Sequence, residues 1–164
     1  RLALQTFVPS ATQTPGRLNL FQFKHFQFLV DFAHNPAGLE LLCDFVSKLD
    51  GEPKVGIISG TGDRRDEDIK ELGRISGRYF DEIIIRQDKN LRGRTAEEIV
   101  SLLVEGINET KQQDIPVTII LNEKEAIMHA YNNAKPGSLI TIMCDVVAEA
   151  LDLIKGLKEK EDEE

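Results

Sequence analysis

Phe26-Gln27-Phe28-Leu29-Val30-Asp31-Phe32-Ala33-His34-Asn35-Pro36-Ala37-Gly38 passes from a short apolar run into a carboxylate, an imidazole and a helix start. Phe26 to Val30 is β-rich and uninterrupted by polar residues apart from Gln27, which reads as a buried strand. Asn35-Pro36 supplies an N-cap and a first-turn proline, and Leu39, Leu42, Cys43, Val46 and Leu49 then recur at helical spacing. Asp31 and His34 therefore fall on a strand-to-helix loop, where open α/β sheets keep their ligands. An aspartate there can accept hydrogen bonds from a ribose, and a histidine can donate to a phosphate or stack on a base. Equally, Asp31 can cap the loop backbone and His34 can be a plain surface histidine.

Upstream, residues 1–16 are rich in Thr, Ser, Gln and Pro and read as a linker. Arg17 to Phe23 alternates and Lys24-His25 can turn the chain, so a β-hairpin is expected to lead into the strand that ends at Asp31. Downstream, strands are expected at Lys54–Ser59, Glu82–Arg86, Pro116–Leu121 and Ser138–Met143, each followed by a helical apolar set. Those sets are Ile69, Leu72, Ile75 and Tyr79; Ile99, Leu103 and Ile107; Ala126, Ile127, Ala130 and Tyr131; and Val147, Leu151 and Ile154. The alternation predicts an α/β domain over residues 17–157. Its core is a Rossmann-like, mostly parallel sheet of about six strands with helices on both faces, entered through the N-terminal β-hairpin. Lys158 to Glu164 (KEKEDEE) reads as an acidic tail, either a solvated helix end or a disordered extension.

The 164 residues suit one domain with a proper core. The chain starts at Arg1 and its first segment reads as mid-protein sequence, so a longer parent is expected. A net charge of −8 gives no support to a nucleic-acid partner, and neither a signal peptide nor a membrane-length apolar run is present. Cys43 and Cys144 lie in apolar segments without metal-ligand spacing and read as buried thiols of a reducing, cytoplasmic compartment.

The remaining strand-end loops carry most of the chemistry. Gly60-Thr61-Gly62-Asp63-Arg64-Arg65-Asp66 combines flexible backbone with guanidinium forks, though it can also be a charged turn before a helix near Asp66. It is not a dinucleotide fingerprint, and no GxxxxGK[ST] phosphate loop occurs. In Gln87-Asp88-Lys89-Asn90-Leu91-Arg92-Gly93-Arg94-Thr95, Asp88 can take an ammonium, and Arg92 or Arg94 a carboxylate, as a zwitterionic amino acid requires. Thr95 and Glu98 also form a capping box. Asn122 and Asp145 read as helix caps, and His129 as a structural residue.

In order along the chain, Thr14-Pro15-Gly16-Arg17, Asp31-Phe32-Ala33-His34-Asn35-Pro36, Gly62-Asp63-Arg64 and Asp88 with Arg92-Gly93-Arg94 resemble the C-terminal domain of Mur-type ligases. With Thr6-Phe7-Val8-Pro9-Ser10, Asn35 to Gly38 and Gly62 to Asp68, the resemblance is fullest to the cyanophycin synthetases, and it runs from about Arg1 to Leu157. It implies the mobile lid domain of an ATP-dependent ligase that joins an amino acid to a carboxylate through an acyl-phosphate. Arg17 would reach the nucleotide phosphates, Asp31 the ribose, and His34 and Asn35 would line the same pocket. Asp63, Arg64, Asp88, Arg92 and Arg94 would serve the substrates, namely arginine and the aspartate side chains of an acidic peptide polymer. The family usually has tyrosine where Phe32 stands. ATP is the implied cofactor, with Mg2+ held mainly by a central ligase domain. That domain and an ATP-grasp half are the implied partners, a homo-oligomeric parent stays open, and this chain alone is expected to be inactive. Two alternatives remain: the same domain of a muramyl-peptide or folylpolyglutamate-type ligase, and a non-catalytic Rossmann-like binding module.

Overall fold

Local signals near Asp31 act as the sequence suggests. The Asn35 side chain accepts a hydrogen bond from Gly38 N at 2.8 Å, and Pro36 opens helix α1, Pro36–Ser47. Thr95 and Glu98 close a reciprocal capping box at 2.8 and 3.2 Å before α3, Ala96–Thr110, and Asn122 caps α4, Glu123–Asn132. The computed structural model describes residues 14–110 and 114–164. The Thr6–Ser10 motif and most of the expected linker lie outside them.

The strands are β1 (Asn19–Gln22), β2 (Gln27–Asp31), β3 (Lys54–Ile58), β4 (Glu82–Ile85), β5 (Val117–Ile119) and β6 (Leu139–Met143). They form one sheet in the order β1-β2-β6-β3-β4-β5, in which only the β1–β2 hairpin is antiparallel. The expected fold class, a Rossmann-like α/β sheet with an N-terminal hairpin, is thus what the chain adopts. β6 inserts between β2 and β3, so two strands separate the Asp31 and Asp88 loops.

Because side chains alternate along each strand, the sheet has two cores. Leu29, Ile58, Ile83, Ile85, Leu139 and Met143 face α1, α2 (Asp66–Tyr79) and α3. Phe28, Val30, Ile57, Ile84, Ile140 and Ile142 face α4 and α5 (Val147–Glu163). The connections leaving β2, β3 and β4 pass to the first face, and those leaving β5 and β6 to the second. The chain therefore opens crevices at the strands' C-terminal ends.

Lys158–Glu163 continues α5 without a break, and Glu161 accepts from Lys24 N at 3.0 Å, fastening the helix end to the β1–β2 turn. β5 is shorter than expected and sits at the sheet edge with Ile119 half exposed.

Candidate functional site

The turn before β1 is built around a buried amide. Asn19, 1 % exposed, donates to Thr14 O and Arg17 O and accepts from Gly16 N, while Phe32 N donates to Gly16 O at 2.8 Å. Gly16 and Leu18 both adopt positive φ, at 73° and 49°. Leu18 N then donates to Asp31 Oδ2 at 2.9 Å. Arg17 is thereby presented outward, its guanidinium carbon 5.8 Å from the Phe32 ring centre, and the His34 ring lies 5.1 Å beyond Phe32. Asp31 is 7 % exposed, and this burial raises its carboxyl above the ordinary range, only partly opposed by Leu18 N and Arg17. The Asn35 side-chain oxygen is committed to its helix cap.

The other expected residues divide. Arg92, at positive φ (51°), pairs with Asp63 at 2.8 Å, and both are half exposed. Arg64 is exposed nearby. Arg94 is committed to holding its neighbours: it donates to Gly62 O, Arg64 O and Asp66 Oδ1 at 2.6–3.0 Å, tying the loop after β4 to the loop after β3. Asp88 is enclosed, accepting from Ser59 Oγ at 2.9 Å and from Arg86 Nη1 at 2.5 Å.

Arg86 is the residue that the sequence reading treats only as a strand end. It is 2 % exposed; Nε lies 3.1 Å from both Met143 O and Glu123 Oε2, and Nη2 also donates to Met143 O. Burial raises the Glu123 carboxyl above its usual range, and the Arg86 charge opposes that rise. Asp145 does not cap α5; it accepts from Lys89 N at 2.7 Å while its own N–H donates to Glu123. The available signal for Arg86 was a charge ending an apolar strand (EIIIR), the same feature that marks Asp31. Cys144 lies beside them, its thiol pushed up to about 12 by burial, so it is an inert packing group.

Two cavities flank this cluster. The smaller, about 70 Å³, has His34, Thr61, Arg86 and Arg92 in its walls. The larger, about 580 Å³, lies between α4, α5 and the loop after β4, with Glu123, Glu149, Asp152, Lys89 and Lys124 around an apolar floor that includes Ile127 and Leu153. Asp88 and Asp145 belong to both. Among the described residues, no group of three or more His, Cys, Asp or Glu side chains is placed to hold a metal ion, and no helix is long and apolar enough to cross a membrane.

The model of the family described as Mur ligase, glutamate ligase domain, matches residues 16–145, which takes in every one of these loops. The chain belongs to that family. This Mur ligase domain is 42% identical over 155 residues to a cyanophycin synthetase of Crocosphaera subtropica, covering 94% of the chain but 17% of the relative's length. The resemblance to cyanophycin synthetases drawn from the motifs is therefore borne out. Among solved structures, a UDP-N-acetylmuramoyl-L-alanyl-D-glutamate–2,6-diaminopimelate ligase superposes with a TM-score of 0.69 at 20% identity, covering 83% of the domain and 26% of that chain. A Mycobacterium tuberculosis folylpolyglutamate synthase complexed with ADP and AMPPCP gives 0.64 at 22%, covering 88% and 33%. These two establish the shared fold.

Proposed function

We propose that this Mur ligase domain is the part of an ATP-dependent amide ligase that meets the nucleotide and the incoming amino acid. Its parent, like a cyanophycin synthetase, would add arginine to aspartate side chains of a poly-aspartate backbone. The observation that carries this reading is the pair of cavities sharing Asp88 and Asp145. One side offers the Arg92 guanidinium to a carboxylate, and the other an acid-rimmed space of about 580 Å³ to a cation. An arginine brings both groups.

On the nucleotide side, Arg17 supplies a planar cation for phosphate oxygens, and the rings of Phe32 and His34 supply a surface for a base. Asp31 sits under the Arg17 turn, held by Leu18 N, which places the carboxylate proposed for the ribose beside the cation proposed for the phosphates. Asn35 contributes chiefly by setting the start of α1. ATP, when bound, supplies the phosphoryl group that activates a carboxylate. The chain carries no phosphate loop for it, so the domain alone is expected to turn over no ATP. Asp63 steadies Arg92, Arg64 offers an exposed guanidinium on the loop after β3, and Arg94 supports that loop.

The test is steady-state kinetics of the full-length ligase with ATP and arginine varied separately. Asp88→Ala and Arg92→Ala should raise KM for arginine by about tenfold or more while leaving that for ATP nearly unchanged. Arg17→Ala and Asp31→Ala should weaken ATP use instead, by roughly 1–3 kcal/mol each. Equal losses for both substrates in every variant, or none for arginine, would overturn the assignment.

A further inference from the structure

We infer that Arg86 is the positioning residue of the amino-acid site: buried where β4 ends, it holds the Asp88 carboxylate, which borders both cavities, and the Glu123 carboxylate, which borders the larger, and fastens both to the main chain of β6. The inference rests on the reading that Asp88 contacts the incoming amino acid.

Charge buried in an apolar sheet is expensive, and a hydrophobic side chain of similar volume would pack there at lower cost. Every side chain preceding Arg86 in β4 from Ile83 onward is buried and apolar, yet the strand ends in a guanidinium that is 2 % exposed. Its donors are all directed at strand ends and loops bordering the cavities. Nη1 meets Asp88, Nε lies between Met143 O and Glu123, and Nη2 meets Met143 O. Through Asp88 the same network reaches Ser59 just beyond β3, and through Glu123 it reaches Asp145 N just beyond β6. One planar fork therefore sets the relative positions of the loops that follow β3, β4, β5 and β6.

All three guanidinium nitrogens of Arg86 are engaged within the fold, by Asp88, Glu123 and Met143 O, which fixes the plane of the fork. Its effect passes through Asp88 and Glu123, whose carboxylates it holds in place. A lysine in its place retains the charge but presents one compact ammonium, which cannot meet two carboxylates and a carbonyl in the same geometry. Loss of function on Arg86→Lys thus separates geometry from charge.

The experiment compares wild-type full-length ligase with Arg86→Lys, Arg86→Met, Asp88→Ala and, as a control, Arg74→Met. Arg74 pairs with Glu67, Glu71 and Glu109 on the outer seam between α2 and α3, away from both cavities. KM for arginine should rise about tenfold in Arg86→Lys and further in Arg86→Met, with KM for ATP within about twofold of wild type. Arg74→Met should leave both constants unchanged. The inference is overturned if Asp88→Ala raises KM for arginine but a folded Arg86→Lys leaves it within about twofold of wild type. It also falls if thermal melts show that both Arg86 variants lose the fold, since the arginine would then serve the sheet rather than the site. If Asp88→Ala itself leaves KM for arginine unchanged, the amino-acid reading fails first, and the inference with it.

Discussion

On one face of the sheet α2 meets α3 backbone to backbone, whereas on the other α4 and α5 stand apart around a cavity of about 580 Å³. Glycine makes the close contact possible. A Cβ on Gly73 would overlap the Leu103 carbonyl, and one on Gly106 the Lys70 carbonyl, while Lys70–Glu105 and Arg74–Glu109 pairs seal the seam at 2.7 and 2.5 Å. Across the sheet, the corresponding helices bring carboxylates to the rim of an open space instead of to each other's backbone. The difference teaches where this small fold places its rigidity. Three helices close one side of the sheet, while the other keeps an open space between α4 and α5.

The contrast breaks most sharply at Gly106. Gly106→Ala must push α2 from α3 and should cost about 3–5 kcal/mol in urea unfolding of the isolated domain. The same exchange at Gly156 on α5, where a Cβ meets nothing within 4 Å, should gain about 0.5–1 kcal/mol. Equal effects at the two sites would remove the distinction between the faces.

Truncation gives a second, smaller test. Leu103 is fully buried on the packed face, and Leu103→Ala should cost about 3 kcal/mol. Leu153, which lines the cavity, should cost less than about 1 kcal/mol on Leu153→Ala, because its surroundings are already open. Paired melts of the two variants decide it.

The smallest effect has the opposite sign. Burial raises the Asp31 carboxyl, so the folded domain holds that proton more tightly than the unfolded chain. Stability contributed by Asp31 consequently falls as pH rises from the unfolded value through the folded one. Asp31→Asn, still able to accept from Leu18 N, should raise Tm at neutral pH, and the gain should shrink as pH falls into the carboxylate range. A lower Tm for Asp31→Asn at neutral pH would show that the charge, rather than its burial, dominates there.

Much of this architecture could be read from short-range pattern. Asn35-Pro36 and Thr95-x-x-Glu98 act locally, so their helices start where the residues say. Strand order could not be read that way: nothing in the Leu139–Met143 run says that it pairs with both β2 and β3. Pro116–Leu121 resembles a central strand because apolar composition is blind to position at an edge. The motifs singled out Asp88 and Arg92, but Arg86 and Glu123, 37 residues apart in sequence, acquire meaning only once the end of β4 meets the start of α4. Asp145 looked like a cap because carboxylates commonly are caps; its actual partner, the Lys89 backbone, comes from a distant loop.

The place of β6 also bears on how the protein is made. The strand at the middle of the sheet, between β2 and β3, is the last of the described strands to leave the ribosome. Until Leu139–Met143 emerges, β2 and β3 lack the neighbour they share, and Arg86 lacks the Met143 carbonyl that it holds. Translation therefore supplies the central seam after the other described strands. Until that strand arrives, the facing edges of β2 and β3 stay open to other strands.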